Sequence, residues 1–331
     1  MAAKRVKRTI QRSAESDYIA ISEAFEEFVT EKEVLGRAEA TVRSYKDTFK
    51  LFMNYFNFDD STTIDEINKH LFFQWINDMD NRGVKYTSIN HYLRDMRTFC
   101  YWCMEDERKY ITEPFKLEMK KGQDTGYKMF NDEEVEILTE KPRRNDNFIT
   151  WRTWAIINWV LATGNRAATI TFIRIGDIDF KNKEISIVEH TKNKRAQIIP
   201  LSPSLETVIK EYIRIWRKDA KKDAFLFCNI GEEYMTTNAL RQSFGRYCKD
   251  RGVERTNIHG LRHTFARNWI RNGGDTFSLQ KMLGHSSLEM TRNYVNLFTS
   301  DIKKDFDKFN PLDNIRRSSK RTQTVRRGYD W

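Results

Sequence analysis

Breakers of regular structure are scarce in this chain: its 331 residues include five prolines and 14 glycines. That scarcity, with 39% hydrophobic residues, suits a soluble and largely helical protein. No apolar run reaches the ~18 residues that a membrane span requires, so no membrane partner is expected. The basic N-terminus has no apolar segment behind it and does not read as a secretory signal. Cysteine is also rare, with Cys100, Cys103, Cys228 and Cys248 the full set. Cys100 and Cys103 form a C-x-x-C, but inside an apolar helical pattern and without a second ligand pair nearby. They read as core thiols rather than a zinc or redox site, and a reducing cytoplasm is the compartment that fits. P-loop, H-E-x-x-H and dinucleotide fingerprints are missing, so no cofactor and no metal are expected.

Acid is in deficit: 57 Lys and Arg stand against 47 Asp and Glu, a net charge of +10. The excess is unevenly spread. Residues 1–14 carry Lys4, Arg5, Lys7, Arg8 and Arg12 without an acid, and residues 314–331 carry Arg316, Arg317, Lys320, Arg321, Arg326 and Arg327 against Asp330. These two tails together equal the whole excess. Between them, residues 15–128 are net −6 and residues 129–313 net +6. Basic tails are often only solvating, so the basic second half is the better pointer to a polyanion partner.

The length fits two domains of roughly 100 to 200 residues. Residues 1–17 read as a basic disordered tail. Helical patterning then begins near Ser22. E-A-F-E-E-F-V groups Phe25 with Phe28; residues 39–58 place Val42, Tyr45, Phe49, Phe52, Met53 and Phe56 on an apolar face, with Arg43, Lys46 and Lys50 elsewhere. I-D-E-I-N-K-H-L-F-F-Q-W-I-N-D-M reads as a third helix, Arg82-Gly83 as a turn, and T-S-I-N-H-Y-L-R-D-M-R-T-F-C-Y-W-C-M as a fourth with Ile89, Leu93, Met96, Phe99 and Cys100 inward. The aromatics read as core, since no strand pattern for base stacking accompanies them. A helical domain over residues 18–118 and a linker over 119–128 are expected.

The second domain, residues 129–310, opens with a helix capped by Asn131 or Asp132 and with Glu133 and Glu134 in its first turn. W-R-T-W-A-I-I-N-W-V-L-A-T-G is an apolar helix stopping at Gly164. I-S-I-V-E-H-T-K-N-K-R-A-Q-I-I-P-L alternates about a Lys/Asn-rich turn and reads as a β-hairpin. Asp177 and Asp179 lack partner carboxylates and flank a strand start, so they are discounted as a metal pair. Helices follow over 204–218 and 237–251, and a basic tail over 311–331.

The chemistry concentrates between Ile258 and Tyr294. His259 and Arg262 lie three apart and share a helical face. His263 shares that face too, so periodicity does not choose between the two histidines. Gly284 is placed to end a helix, and Ser286 with Glu289 forms a capping box that would start the next. His285 then lies at the junction, with Tyr294 about two turns further on. Taken singly, each of these residues also fits an ordinary structural role. The ordered set H-x-L-R-H-T-F-A, then L-G-H-S-S, then a Tyr nine residues after that His, resembles the tyrosine recombinase (phage integrase) family.

The resemblance spans roughly residues 20–310. It implies a fold that is mostly α with a small antiparallel β-sheet (α+β): an N-terminal helical core-binding domain, which the four helices resemble, and a C-terminal catalytic domain. The family's T-G-x-R motif falls on Thr163-Gly164-Asn165-Arg166, making Arg166 the first catalytic arginine. Its hairpin lysine, nine positions from a proline inclusive, falls on Lys192, with Lys194 the competitor in the same turn. His259, Arg262, His285 and the nucleophile Tyr294 complete the implied set. One departure is plain: family members usually have an acid three residues after the first arginine, and Thr169 stands there. The implied activity is site-specific cutting and rejoining of DNA through a 3′-phosphotyrosyl intermediate and a Holliday junction, without ATP or metal. The alternatives are a type IB topoisomerase-like enzyme and a catalytically silent DNA-binding regulator. The implied partners are double-stranded recombination sites and a homo-tetramer in the synapse, and accessory DNA-bending proteins also fit. The stretch before the first helix is too short to fold as an arm-binding domain, which implies a recombinase of the Xer or transposon-resolving sort, or an arm-less integrase.

Overall fold

The computed structural model describes residues 19–105, 107–122, 129–187, 197–285, 287 and 291. Lys192 and Lys194, Tyr294, the Ser286–Glu289 capping box and both basic tails lie outside the described residues. The chain divides into two compact units, Met1–Thr125 and Gly126–Trp331. No helix among the described residues is long and apolar enough to cross a membrane.

Among the described residues, the first unit holds four α-helices, α1 (Ile21–Val34), α2 (Glu39–Phe56), α3 (Lys69–Asn81) and α4 (Tyr86–Cys103). Its aromatics form the core. Phe25 stacks on Phe49 with ring centroids 3.7 Å apart and meets Phe99 edge-on at 5.2 Å. Phe28, Phe52, Phe72 and Phe99 are fully buried beside Trp75 and Trp102. Cys100 and Cys103 lie in this core as free thiols, and burial pushes both thiol pKa values up. One buried carboxylate, Asp95, is satisfied by the hydroxyls of Ser44 (2.6 Å) and Thr48 (3.0 Å), which fastens α2 to α4.

The stretch read as a third helix is two elements. Thr63 and Glu66 form a reciprocal capping box around a single 3₁₀ turn, Ile64–Glu66. Asn68 then starts α3 afresh by accepting from the amides of His70 (3.0 Å) and Leu71 (3.3 Å). Local side-chain caps here override an apolar pattern that would run on unbroken. The second helix ends at Phe56 because Asn57 takes a left-handed backbone, φ 53°. Residues after α4 continue to pack on it: Leu117 is buried, and Asn90 exchanges two hydrogen bonds with the backbone of Lys120 (2.7 and 2.9 Å).

The second unit is built around α6 (Phe148–Thr163), which is apolar on all sides, as a helix enclosed by others must be. Trp151, Trp154, Ile156, Ile157, Trp159 and Val160 are all buried. Around it lie α5 (Asp132–Thr139), α8 (Pro203–Trp216), α9 (Thr237–Asp250) and α10 (Ile258–Arg271), followed by the short α11 (Thr276–Leu283). Asn131 caps α5 in a box with Glu134. The single turn α7 (Ala167–Ile170) leads to an antiparallel sheet ordered β1 (Ile178–Asp179), β2 (Glu184–Ile187), β3 (Gln197–Pro200). Ile185 pairs with Ile199, and Ile187 with Gln197. Ile185, Ile187 and Ile199 face the core while Ile198 is exposed, the two-residue alternation of a sheet covered on one face. Asp177 and Asp179 act locally: Asp177 accepts from the amide of Arg174, and Asp179 from those of Lys181 and Asn182.

Two glycines end the helices that matter most. Gly164 closes α6 and Gly284 closes α11, both left-handed at φ 66° and 60°. A Cβ on Gly164 would lie 2.5 Å from Phe265 Cδ1 and 2.8 Å from Leu283 Cδ2, whereas at Gly284 the nearest atom is 3.7 Å away. Gly284→Ala therefore carries the left-handed backbone cost alone, on the order of 1–2 kcal/mol. Gly164→Ala adds overpacking of about 1–3 kcal/mol. Urea unfolding of the two variants should rank Gly164→Ala clearly below Gly284→Ala; equal losses would mean that Phe265 and Leu283 yield freely.

Candidate active site

α6 and α11 end at the same place, and Arg262 is the reason. Its side chain is 3% exposed. Nη1 donates to the carbonyl of Gly164 (2.7 Å) and Nη2 to that of Leu283 (2.9 Å). Helix C-termini leave carbonyls without intrahelical donors and carry partial negative charge. One guanidinium thus serves the ends of two helices and holds them together.

Arg166 arrives from the α6 side. Beyond Gly164, Asn165 is 4% exposed and locked in place. Its Oδ1 accepts from Trp159 Nε1 (2.9 Å), and its amide donates to Thr163 Oγ1 (3.3 Å). Arg166 then opens α7 with extended backbone, and its Nη1 donates to the Leu283 carbonyl at 3.4 Å. Two guanidinium groups therefore meet at one carbonyl oxygen. Thr169, where an acid is usual in the family that the motifs resemble, is buried within α7, its amide donating to the Arg166 carbonyl.

His285 follows Gly284 directly. Arg262 Nη2 donates to its Nε2 at 2.9 Å, and its Nδ1 lies 2.9 Å from Thr291 Oγ1. Guanidinium only donates, so Nε2 is the acceptor, and the neutral ring carries its proton on Nδ1, directed at Thr291. Burial, then the charges of Arg262 and Arg166, then His259, hold the His285 pKa down at about 4. His259 stands in the first turn of α10, where Asn257 accepts from its amide (3.0 Å). His259 is an exposed residue. The packing around it lowers its pKa from 6.5, and so do Arg262, Arg166 and Arg241. Below it on α10, Thr264 is fully buried, accepting from the Phe130 amide and donating to the Gly260 carbonyl, each at 2.9 Å. That pair fixes α10 against the start of the second unit.

Four of the six residues read from the sequence are described, and they gather here: Arg166, His259, Arg262 and His285. Lys192 and Tyr294 lie outside the described residues. The strand that follows Lys192 is anchored at the site, because Gln197 Nε2 donates to the carbonyls of Lys281 (2.5 Å) and Met282 (2.9 Å) near the end of α11. Gln197, Asn165, Thr291 and Arg241 were not picked out from sequence. Gln197 had a readable signal: alternation places it on the core face beside Ile199, where a polar side chain needs a partner. Nothing in the local pattern marked the other three.

This arrangement, a buried arginine joining two helix ends with a second arginine and two lowered-pKa histidines about it, suits binding and activation of a phosphodiester. Residues 115–300 match the phage integrase family, and residues 23–107 match the SAM-like N-terminal domain of phage integrases. Tyrosine recombinase XerC of Corynebacterium glutamicum is 23% identical over 278 residues, covering 84% of this chain and 88% of the relative. Tyrosine recombinase XerD of Listeria innocua is 23% identical over 284 residues, covering 83% and 94%. Among solved structures, the Tn1549 transposon integrase in complex with transposon right end DNA gives a TM-score of 0.67 at 20% identity, covering 86% of this chain and 99% of that one. A lambda integrase dimer bound to a COC′ core site gives 0.68 at 15% identity, covering 84% and 77%. The two structures share the fold. With a family match that spans more than half its length, the chain belongs to the phage integrase family, the tyrosine recombinases.

Proposed function

We propose that this enzyme recombines double-stranded DNA at specific sites, with Tyr294 attacking a phosphodiester to give a 3′-phosphotyrosyl link and a free 5′-hydroxyl. The observation that carries this reading is the convergence of Arg166, Arg262 and His285 at the ends of α6 and α11, with His259 less than a turn before Arg262 on α10. A phosphodiester anion repels an incoming nucleophile. Two guanidinium groups neutralise that charge and stabilise the further charge that develops in the pentavalent transition state. Arg262 enters this task already fixed by two carbonyls, so little reorganisation accompanies the reaction.

His259 is the candidate base for the Tyr294 phenol, whose unperturbed pKa of ~10 would otherwise leave it protonated. His285 acts through Arg262. Accepting from Nη2 with Nε2, and pointing Nδ1 at Thr291, it sets the plane of the guanidinium. Lys192 is the general acid for the 5′-oxygen, a poor leaving group without a proton. The tyrosyl link conserves the bond energy, so the 5′-hydroxyl of a second strand reverses the step without ATP. Four protomers would exchange strands pairwise through a Holliday junction on two sites, in a reducing cytoplasm that keeps the buried thiols free.

Tyr294→Phe should bind a DNA site normally and form no covalent adduct on a denaturing gel; a persisting adduct would refute the nucleophile. Lys192→Ala should be inactive on ordinary DNA and recover on a 5′-bridging phosphorothioate, whose thiolate leaves without a proton. Recovery with Lys194→Ala instead would move the general acid two residues along the hairpin.

The depressed histidines also set a pH dependence. His285 must be neutral to accept from Arg262, and His259 must be neutral to take a proton. Both folded pKa values lie below 6.5, that of His285 at about 4. Both functions are therefore intact at neutral pH and are lost only as pH falls through these lowered values. The cleavage rate at sub-saturating DNA, which reports the free enzyme, should hold below pH 6.5. An acid limb at 6.5 or above would mean that neither burial nor the arginines lower these rings.

A further inference from the structure

His263 has the same helical face as His259 and the same residue type, and the recombination chemistry above gives it no part. Resting on that reading, we propose that His263 is a positioning residue: its ring braces the imidazole of His259 so that one nitrogen stays directed at the nucleophile.

The two rings meet edge to face, with centroids 4.5 Å apart and planes at 83°. Aromatic pairs favour this arrangement, because the positive edge of one ring meets the negative face of the other. The partners are unequal in access. His263 is 9% exposed and flanked by buried Arg262 and Thr264, while His259 is an exposed residue. The more exposed side chain is the one that can meet a substrate, and the enclosed ring one turn below packs against it. A general base is effective only when held at near-attack geometry. Asn257 fixes the His259 backbone, not its ring.

Protonation states agree with a bracing role. Burial, followed by His259, Arg262 and His285, holds the His263 pKa down at about 4. His263 therefore stays neutral wherever the enzyme works and does not repel the imidazolium that forms when His259 takes a proton. Among the described residues, the charged and titratable groups that act on His259 are Arg262 and His263 on α10, Arg166 at the start of α7, and Arg241 on α9. The three arginines favour its neutral form before the reaction, and the neutral His263 ring adds shape without adding charge. Removing that ring also opens the packing around His259, so its pKa should rise towards 6.5.

Two variants of the full-length protein test this, with His263→Phe keeping a ring edge without a titratable nitrogen and His263→Ala removing the brace. Single-turnover cleavage of a suicide DNA substrate and equilibrium binding are measured for both, across pH. His263→Ala should slow cleavage by at least about tenfold with binding affinity held within about twofold, and its acid limb should move to higher pH. His263→Phe should recover cleavage to within about threefold of wild type. Wild-type rates in His263→Ala would overturn the proposal. So would equal losses in both variants, which would assign the role to a His263 nitrogen, or a slow His263→Ala with an unmoved acid limb, which would mark a structural effect alone. Absence of the adduct in the wild type would count against the function itself, and is read separately from these comparisons.

Discussion

The contact on which the second unit depends is one guanidinium at the ends of two helices. α6 and α11 each stop at a left-handed glycine, and each presents a carbonyl at its C-terminus. Arg262 donates to both. A buried cation needs compensation that water no longer supplies. Here much of that compensation is the partial negative charge of two helix ends, which is fixed in direction and carried by backbone. The consequence is geometric as well as electrostatic. The T-G-x-R segment and the L-G-H segment are remote in sequence, yet each contains a carbonyl held by the same side chain, that of Gly164 and that of Leu283, so Arg166 and His285 are delivered to one spot.

The same carbonyl of Leu283 also reaches Arg166, three residues before Thr169. A carboxylate at that position would offer Arg166 an acceptor and an opposing charge. Here the Leu283 carbonyl, already used by Arg262, also accepts from Arg166. Gln197 extends the arrangement to the sheet. By donating to the carbonyls of Lys281 and Met282, it ties the start of β3 to the last turn of α11. Arginine and glutamine side chains thus use up the carbonyls at the end of α11, and through them α6, α10, α11 and the hairpin become one assembly.

Much of this was legible in the sequence, and the reasons differ by element. The apolar α6, the alternating hairpin and the helices of the first unit follow from periodicity, because burial on one face or all faces leaves a pattern in the residues themselves. The division at Asn68 did not, since a polar cap of two hydrogen bonds interrupts a pattern that hydrophobicity alone would continue. In the site, Arg166, His259, Arg262 and His285 could be named from motif spacing. What they do to one another could not. The donation of Arg262 to two carbonyls distant in sequence is a property of how helices end and pack, and no local pattern encodes it. The choice between His259 and His263 was likewise closed to periodicity, which places both on one face; the structure shows His259 exposed and His263 enclosed, with the two rings in contact.

One electrostatic field then serves both halves of the proposed proton transfer. Burial first, and then the charges of Arg262 and Arg166, lower the pKa of His259 and His285, because both a desolvated and a cationic surrounding disfavour a further positive charge. The same field favours a negative charge, so a phenol brought into it ionises more readily than its ~10 reference value implies. For Tyr294 delivered here, acid and base are moved in compensating directions: the base is kept neutral and ready, at some loss of proton affinity, and the nucleophile yields its proton more easily. A phosphate entering the site partly offsets the arginines and raises the histidine pKa values, restoring the proton affinity of His259 when the substrate is in place. Binding of the scissile phosphate would in this way strengthen the base that its own cleavage requires.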